Sequence, residues 1–320
     1  MPERPQLLVF DDVEGRIEAA PATAQMRELA DVRFARESLA DLRDDELADV
    51  RIVLAIRERT KFDAAALDRL PSLELILQTG GHAYHLDADA ARERNVRVAL
   101  GRGGTAARAA VSELTFALMI GCLRDLPGAQ RSMSNGEWPR LTGRCLAGRR
   151  LGLLGTGRHG AQVARIADAF GMEIVAWQRP GAPTADDGIE RADLDTLLST
   201  SDVVSIHLRL SDASRGLLGR RELGQLKPGA VLVNTARGAI VDERALVDVL
   251  RTGPLAAAGL DVFAEEPLAV DSPLRSLPNV LLTPHIGWTV EEVFDEFAAI
   301  AARQLEAHMT GTLSVDELLG

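Results

Sequence analysis

The sequence predicts an α/β protein of two parallel-sheet lobes, the larger inserted in the smaller. Three observations predict it. A chain of 320 residues exceeds the size at which one core usually keeps growing. Strand-length apolar runs alternate with helical patterns, which implies parallel sheets with helices on their faces. A glycine-rich strand-to-helix turn stands at 155–160, mid-chain, although such a unit ordinarily opens its domain.

In the first part, strands are expected at 6–10, 31–35, 51–56, 74–78 and 96–99. Helices are expected at 23–29 and 63–70, the second ending before Pro71. An amphipathic segment follows at 105–125, with Val111, Leu114, Leu118 and Leu123 near helical spacing. A polar, glycine-containing connection then runs from Pro127 to Gly148. Further strands are expected at 151–154, 174–177, 203–206, 230–233, 256–260 and 279–282. A helix from Val290 to His308 carries the chain back to the first lobe. The simplest packing is two lobes joined by two crossings, with a cleft between them. No repeat of 20–50 residues and no low-complexity tract interrupts this order.

Composition narrows the function classes. The net charge of −11 argues against nucleic acid as a partner and suits an enzyme of small molecules. No apolar run is read as reaching membrane-spanning length; the best, 114–123, is too short and follows Glu113. Met1-Pro2-Glu3-Arg4 leads straight into a strand, so no signal peptide is read and the cytoplasm is the expected compartment. Cys122 and Cys145 make no disulfide framework and lack metal-ligand spacing, and Asp11-Asp12 after the first strand reads as a solvated strand end. No metal is expected.

The turn Gly155-Thr156-Gly157-Arg158-His159-Gly160 carries the strongest chemical signal. Gly155 permits a tight turn, Gly157 lets backbone approach a pyrophosphate, and Gly160 lets the next helix pack closely. That helix presents free N–H groups and a partial positive charge to phosphates. Its pattern (Val163, Ile166, Ala167, Phe170) ends at Gly171, and a strand follows at once, so the whole reads as a dinucleotide site. An acid normally ends that second strand and bonds the ribose 2′-OH. Here Gln178 and Arg179 stand there, which favours NADP over NAD, or a permissive site if Arg179 points to solvent.

Three later segments each end a strand with a charged or titratable group: Asn234-Thr235-Ala236-Arg237-Gly238, Asp261-Val262-Phe263-Ala264-Glu265-Glu266-Pro267 and Thr283-Pro284-His285-Ile286-Gly287. Parallel sheets bind ligands at the carboxyl ends of their strands, so these groups are delivered to the edge where a nicotinamide would lie.

With these segments in order, the chain resembles the D-isomer-specific 2-hydroxyacid dehydrogenase family over nearly its whole length. The resemblance implies two Rossmann-like lobes. Residues 104–288 would form a doubly wound nucleotide-binding domain, inserted in a flavodoxin-like substrate domain of 1–103 and 289–320. It implies hydride transfer between a nicotinamide cofactor, NADP or NAD, and C2 of a small 2-keto or D-2-hydroxy acid of the glyoxylate or hydroxypyruvate type. His285 would be the proton donor, since its ordinary pKa lies near working pH. Glu266, rather than Glu265, would hold its ring and favour the imidazolium. Arg237 would hold the substrate carboxylate and polarise the carbonyl. Gly155, Gly157, Arg158, His159, Gly160, Gln178, Arg179, His207, Thr235, Ala236, Asp261 and Gly287 would line the cofactor. For Asp261 a turn role is the rival reading, for His207 a buried strand-end role, and His159 is expected to face solvent. Gly80 and Gly81 would hold the substrate carboxylate through their backbone amides, an ordinary turn being the rival, and Arg57 would bind substrate as a cation at the cleft mouth, solvated surface charge being the rival. Trp288 either walls the substrate pocket or packs between lobes. The family is typically dimeric through the 105–150 region, so a second copy is the expected partner. A dinucleotide-sensing corepressor of the same fold is the alternative function. A formate-dehydrogenase-like enzyme ranks last, because those relatives carry Gln where Glu266 stands.

Overall fold

A computed structural model describes residues 4–179, 181 and 187–319. Met1-Pro2-Glu3, in which no signal peptide is read, lies outside them. The chain forms two compact units, Met1–Ala106 with Thr289–Gly320, and Ala107–Trp288.

The first unit holds five parallel strands: β1 (Gln6–Phe10), β2 (Asp31–Ala35), β3 (Val50–Ala55), β4 (Leu75–Gln78) and β5 (Arg97–Leu100). Their order is β2-β1-β3-β4-β5, the flavodoxin-like arrangement of a doubly wound sheet. Every residue of β4 is buried, as expected of a strand covered on both faces, whereas the edge strand β2 alternates in exposure. Helices α1 (Arg16–Ala19), α2 (Thr23–Leu29), α3 (Asp44–Leu47), α4 (Ala64–Asp68) and α5 (Ala88–Glu93) connect them. The expected helix at 63–70 starts one residue later because Asp63 caps it, its carboxylate accepting from Ala66 N at 3.0 Å, and it ends at Asp68 with Arg69 as the C-cap. α1, α3 and α5 are too short to show apolar periodicity. The solvated reading of Asp11-Asp12 is corrected: Asp12 is 2% exposed, and its two oxygens accept from Ile17 N and Glu18 N. A buried carboxylate so placed satisfies the free donors of α1.

In the second unit seven parallel strands run in the order β12-β11-β10-β9-β6-β7-β8. They are β6 (Arg150–Leu154), β7 (Glu173–Trp177), β8 (Glu190–Arg191), β9 (Val203–Ile206), β10 (Ala230–Asn234), β11 (Leu255–Leu260) and β12 (Val280–Leu282). The order reverses between β6 and β9, as in a dinucleotide-binding sheet. Helices α6 (Ala106–Arg124), α7 (Leu126–Ser134), α8 (Arg158–Ala169), α9 (Leu194–Thr200), α10 (Arg220–Gly224) and α11 (Glu243–Thr252) accompany it.

Two expectations change here. α6 is not amphipathic: Ala110, Ser112, Thr115, Phe116, Leu118, Met119, Gly121 and Leu123 are all buried, and at one residue per 100° they cover more than half its circumference. By length and composition α6 is apolar enough to cross a bilayer, which a count of uninterrupted apolar residues overlooks. It is instead pressed on the sheet. A Cβ on Gly121 would stand 2.5 Å from Leu281, and one on Gly259 would stand 2.8 Å from Leu118. The second change concerns 127–148, which is not all irregular. It begins in α7, capped by Asp125 and started by a proline at its first turn, with no buried residue to betray it by periodicity.

The chain returns to the first unit as α12 (Glu291–Met309). Its Glu296 carboxylate accepts from Thr105 N and Oγ1 at 2.9 Å and from Ala106 N at 3.0 Å, which keeps these two residues with the first unit.

Leu232 lies at the centre of β10 with no exposure. Leu232→Ala should lower the unfolding free energy by about 2–5 kcal/mol through lost burial and a residual cavity, read by urea denaturation.

Candidate active site

The nucleotide cradle sits where β6 and β9 part. Gly155 turns through a left-handed backbone (φ 96°) that other residues adopt only with strain. A Cβ on Gly160 would stand 2.1 Å from Gly155 O, so only glycine lets α8 start this close to the strand. A Cβ on Gly157 would meet nothing within 4 Å. Open space therefore faces the first N–H groups of α8, and the turn fits a dinucleotide pyrophosphate. Gln178, just beyond β7, donates from Nε2 to Thr156 Oγ1 at 2.5 Å, which sets its amide against the cradle. Arg158, His159 and Arg179 are exposed.

His207 follows β9 beneath the same turn. Its N donates to Leu154 O at 2.9 Å, its Nε2 pairs with Ser205 Oγ at 2.8 Å, and its Cβ lies 3.3 Å from where Gly160 would carry one. Burial, with a smaller contribution from the charge of His159, pushes the imidazole down to about 3. It is neutral at physiological pH.

The three strand-end loops are braced by buried polar groups. Asn234, 1% exposed, accepts on Oδ1 from Ala236 N and donates from Nδ2 to Arg237 O, both at 3.0 Å. Arg237 Nη1 donates to Ala236 O at 2.7 Å. A Cβ on Gly238 would lie 1.9 Å from the carbonyl carbon of Phe263, so this glycine lets the loop after β10 press on the loop that carries Glu266. Thr235 Oγ1 lies 3.0 Å from Thr115 Oγ1 of α6.

Glu266, not Glu265, meets the histidine: Oε2 lies 2.7 Å from His285 Nδ1, while Oε1 accepts from Phe263 N at 2.9 Å. Burial raises the Glu266 pKa, but the His285 bond and charge, the Phe263 amide and Arg237 outweigh it and hold the carboxyl below its ordinary value. His285 itself has a left-handed backbone (φ 56°), unusual for a residue with a Cβ.

Asp261 holds that turn. Its Oδ1 accepts from Thr283 Oγ1 at 2.6 Å and Ile286 N at 2.8 Å, and its Oδ2 from Gly287 N at 2.9 Å. Burial at 1% exposure raises its pKa despite these three donors and the nearby His285. The turn role is thus plain in the geometry. Asn234, Thr115, Ser205 and Gly238 were not singled out from the sequence. An Asn directly after a strand, two residues before the amide it accepts, is the signal that points to the first of them.

In the first unit, Arg57 also has a left-handed backbone (φ 55°), held by Arg57 N donating to Thr79 Oγ1 at 2.8 Å. Its guanidinium lies over Gly80, where a Cβ would meet Nη1 at 2.2 Å. Gly81 is exposed. Among the described residues no group of three His, Cys, Asp or Glu is arranged to hold a metal.

Residues 116–287 match the model of the D-isomer specific 2-hydroxyacid dehydrogenase NAD binding domain. The chain belongs to the D-isomer specific 2-hydroxyacid dehydrogenase family. It is an oxidoreductase that works with a nicotinamide cofactor. It is 38% identical to the hydroxypyruvate reductase of Thermotoga maritima over 75% of this chain and 79% of that one. It is 36% identical to the D-3-phosphoglycerate dehydrogenase of Methanocaldococcus jannaschii over 82% of this chain, yet it spans only 50% of that longer relative. The crystal structure of a glyoxylate reductase from Paecilomyes thermophila superposes with a TM-score of 0.79 at 33% identity, covering 100% of this chain and 98% of that one.

His207 yields a pH test. The unfolded chain takes up a proton near the ordinary histidine value of 6.5, and the folded chain only near 3. Stability from this group is therefore complete above 6.5 and falls as pH drops towards 3, by at most about 1.4 kcal/mol per pH unit. Urea unfolding at descending pH should show a shallower loss for His207→Gln than for the wild type.

Proposed function

We propose that the chain reduces small 2-keto acids of the glyoxylate or hydroxypyruvate type to D-2-hydroxy acids, and runs the reverse oxidation. The observation that carries this reading is the 2.7 Å bond between His285 Nδ1 and Glu266 Oε2. A carboxylate on Nδ1 fixes the ring and leaves Nε2 to hand a proton to the substrate's C2 oxygen. In the oxidation the same atom takes the hydroxyl proton back. Arg237 polarises the C2 carbonyl, its guanidinium also stabilising the Glu266 carboxylate. Gly80 and Gly81 with Arg57 bind the substrate carboxylate, so the first unit serves as the substrate domain and the second as the dinucleotide domain. A bound reduced nicotinamide supplies the hydride to C2.

Gly155, Gly157, Arg158, His159 and Gly160 are proposed to hold the cofactor phosphates, with His207, Thr235, Ala236, Asp261 and Gly287 lining the rest of the cofactor. NADP is the proposed preference. Gln178 places no negative charge beside the cradle, and the exposed guanidinium of Arg179 suits a 2′-phosphate. The proposed partner is a second copy of the chain. α7 buries none of its residues, and Leu126, Met133, Trp138 and Leu141 are exposed along it and beyond, Trp138 by 84%. The cytoplasm is the proposed compartment.

Initial rates with glyoxylate and hydroxypyruvate test the reaction. His285→Ala should lower kcat by about a hundredfold or more, the usual scale of a lost general acid. Wild-type rates in that variant would overturn the assignment. Gln178→Asp should move the NADPH/NADH ratio of kcat/KM towards NADH, through repulsion of the 2′-phosphate.

A further inference from the structure

The loop after β3 sets a carboxylate beside the guanidinium assigned to substrate. Arg57 is fixed at both ends of its strained residue: N donates to Thr79 Oγ1, and O accepts from Gln78 Nε2 at 2.9 Å. That backbone folds the side chain over Gly80. Glu58 meets the guanidinium twice, Oε2 at 3.5 Å from Nε and Oε1 at 3.5 Å from Nη2. Glu58 Oε1 also lies 3.3 Å from His82 Nδ1, and the His82 ring stacks on Tyr84 with centroids 4.6 Å apart. The Arg57 and Glu58 side chains are only 15% and 26% exposed, so water screens this pair less than a surface pair.

We propose that Glu58 makes the enzyme select 2-keto acids whose C2 substituent is uncharged, and reject those bearing a second anion, a phosphate or another carboxylate. The inference rests on the reading that Arg57, Gly80 and Gly81 hold a 2-keto acid. Beside the Gly80–Gly81 turn, a guanidinium without a carboxylate neighbour would invite a second anion, since its planar fork suits phosphate and carboxylate alike. Here Glu58 already occupies one side of it. A second anion must displace Glu58 from both Arg57 and His82, or lie against its negative charge in a partly desolvated place. His85, on the same loop as His82, brings no offsetting charge near neutral pH. Burial holds its imidazole below the ordinary value, with Arg57 acting in the same direction and Glu58 opposing. Specificity then comes from a repulsive group as well as an attractive one.

Initial rates with the full-length enzyme on glyoxylate and hydroxypyruvate, against 3-phosphohydroxypyruvate and oxaloacetate, test this. In the wild type kcat/KM should favour the first pair by about tenfold or more, equivalent to about 1.4 kcal/mol. Glu58→Gln, which keeps the side-chain shape, should move that ratio towards the doubly anionic pair by about tenfold, chiefly through their KM. Glu58→Ala should move it the same way. A wild type that prefers the doubly anionic pair, or a ratio unchanged in both variants, overturns the proposal while leaving the proposed reaction intact. Turnover of none of the four acids overturns the reaction and this proposal together.

Discussion

A carboxylate almost cut off from water must find its donors within the protein, and at Asp261 that requirement organises the candidate catalytic edge. The aspartate directly follows β11, where the parallel sheet delivers it, and takes the Thr283 hydroxyl and the Ile286 and Gly287 amides. Those donors lie on both sides of His285. A histidine with φ near 56° stays in that conformation only where its surroundings impose it. The ring is then presented to Glu266, whose own loop is held close to the Arg237 loop because Gly238 has no side chain to keep them apart.

The same logic recurs at each strand end. Asn234 satisfies an amide and a carbonyl of the Arg237 loop, Ser205 pairs with the half-buried imidazole of His207, and Thr79 and Gln78 fix Arg57. The groups assigned to chemistry sit on loops, while the groups that brace them are polar, short and buried. Buried polar groups act rigidly because an unmade hydrogen bond there costs more than one made is worth. Preorganisation of this kind is what a catalyst needs where charge develops in the transition state.

Much of the fold was legible in the chain. Parallel strands buried on both faces read as continuous apolar runs, so the strands of the two sheets stand out, apart from the two-residue β8. The glycine turn was legible for a related reason: Gly155 and Gly160 answer to steric demands that only one residue type meets. Helices without an apolar face were not legible. α7 buries nothing, so periodicity is blind to it, and α6, expected at 105–125, shows its helical spacing but not that its buried residues wrap more than half its circumference. Asp12 read as a solvated strand end because a capping carboxylate and an exposed one have the same neighbours in sequence.

By itself the sequence determined the type and order of the main elements, the cradle, and which Arg, Glu and His stand at strand ends, since each follows from local pattern and a fixed motif order. Tertiary structure alone decided that the Glu266 carboxylate lies 2.7 Å from His285 Nδ1, that Asp261 spends both oxygens on the His285 turn, and that the Glu58 carboxylate is shared between Arg57 and His82. The physical reason is range. Propensity and periodicity act over a few residues, whereas a hydrogen bond between loops 19 or 25 residues apart exists only once the sheet has set their separation.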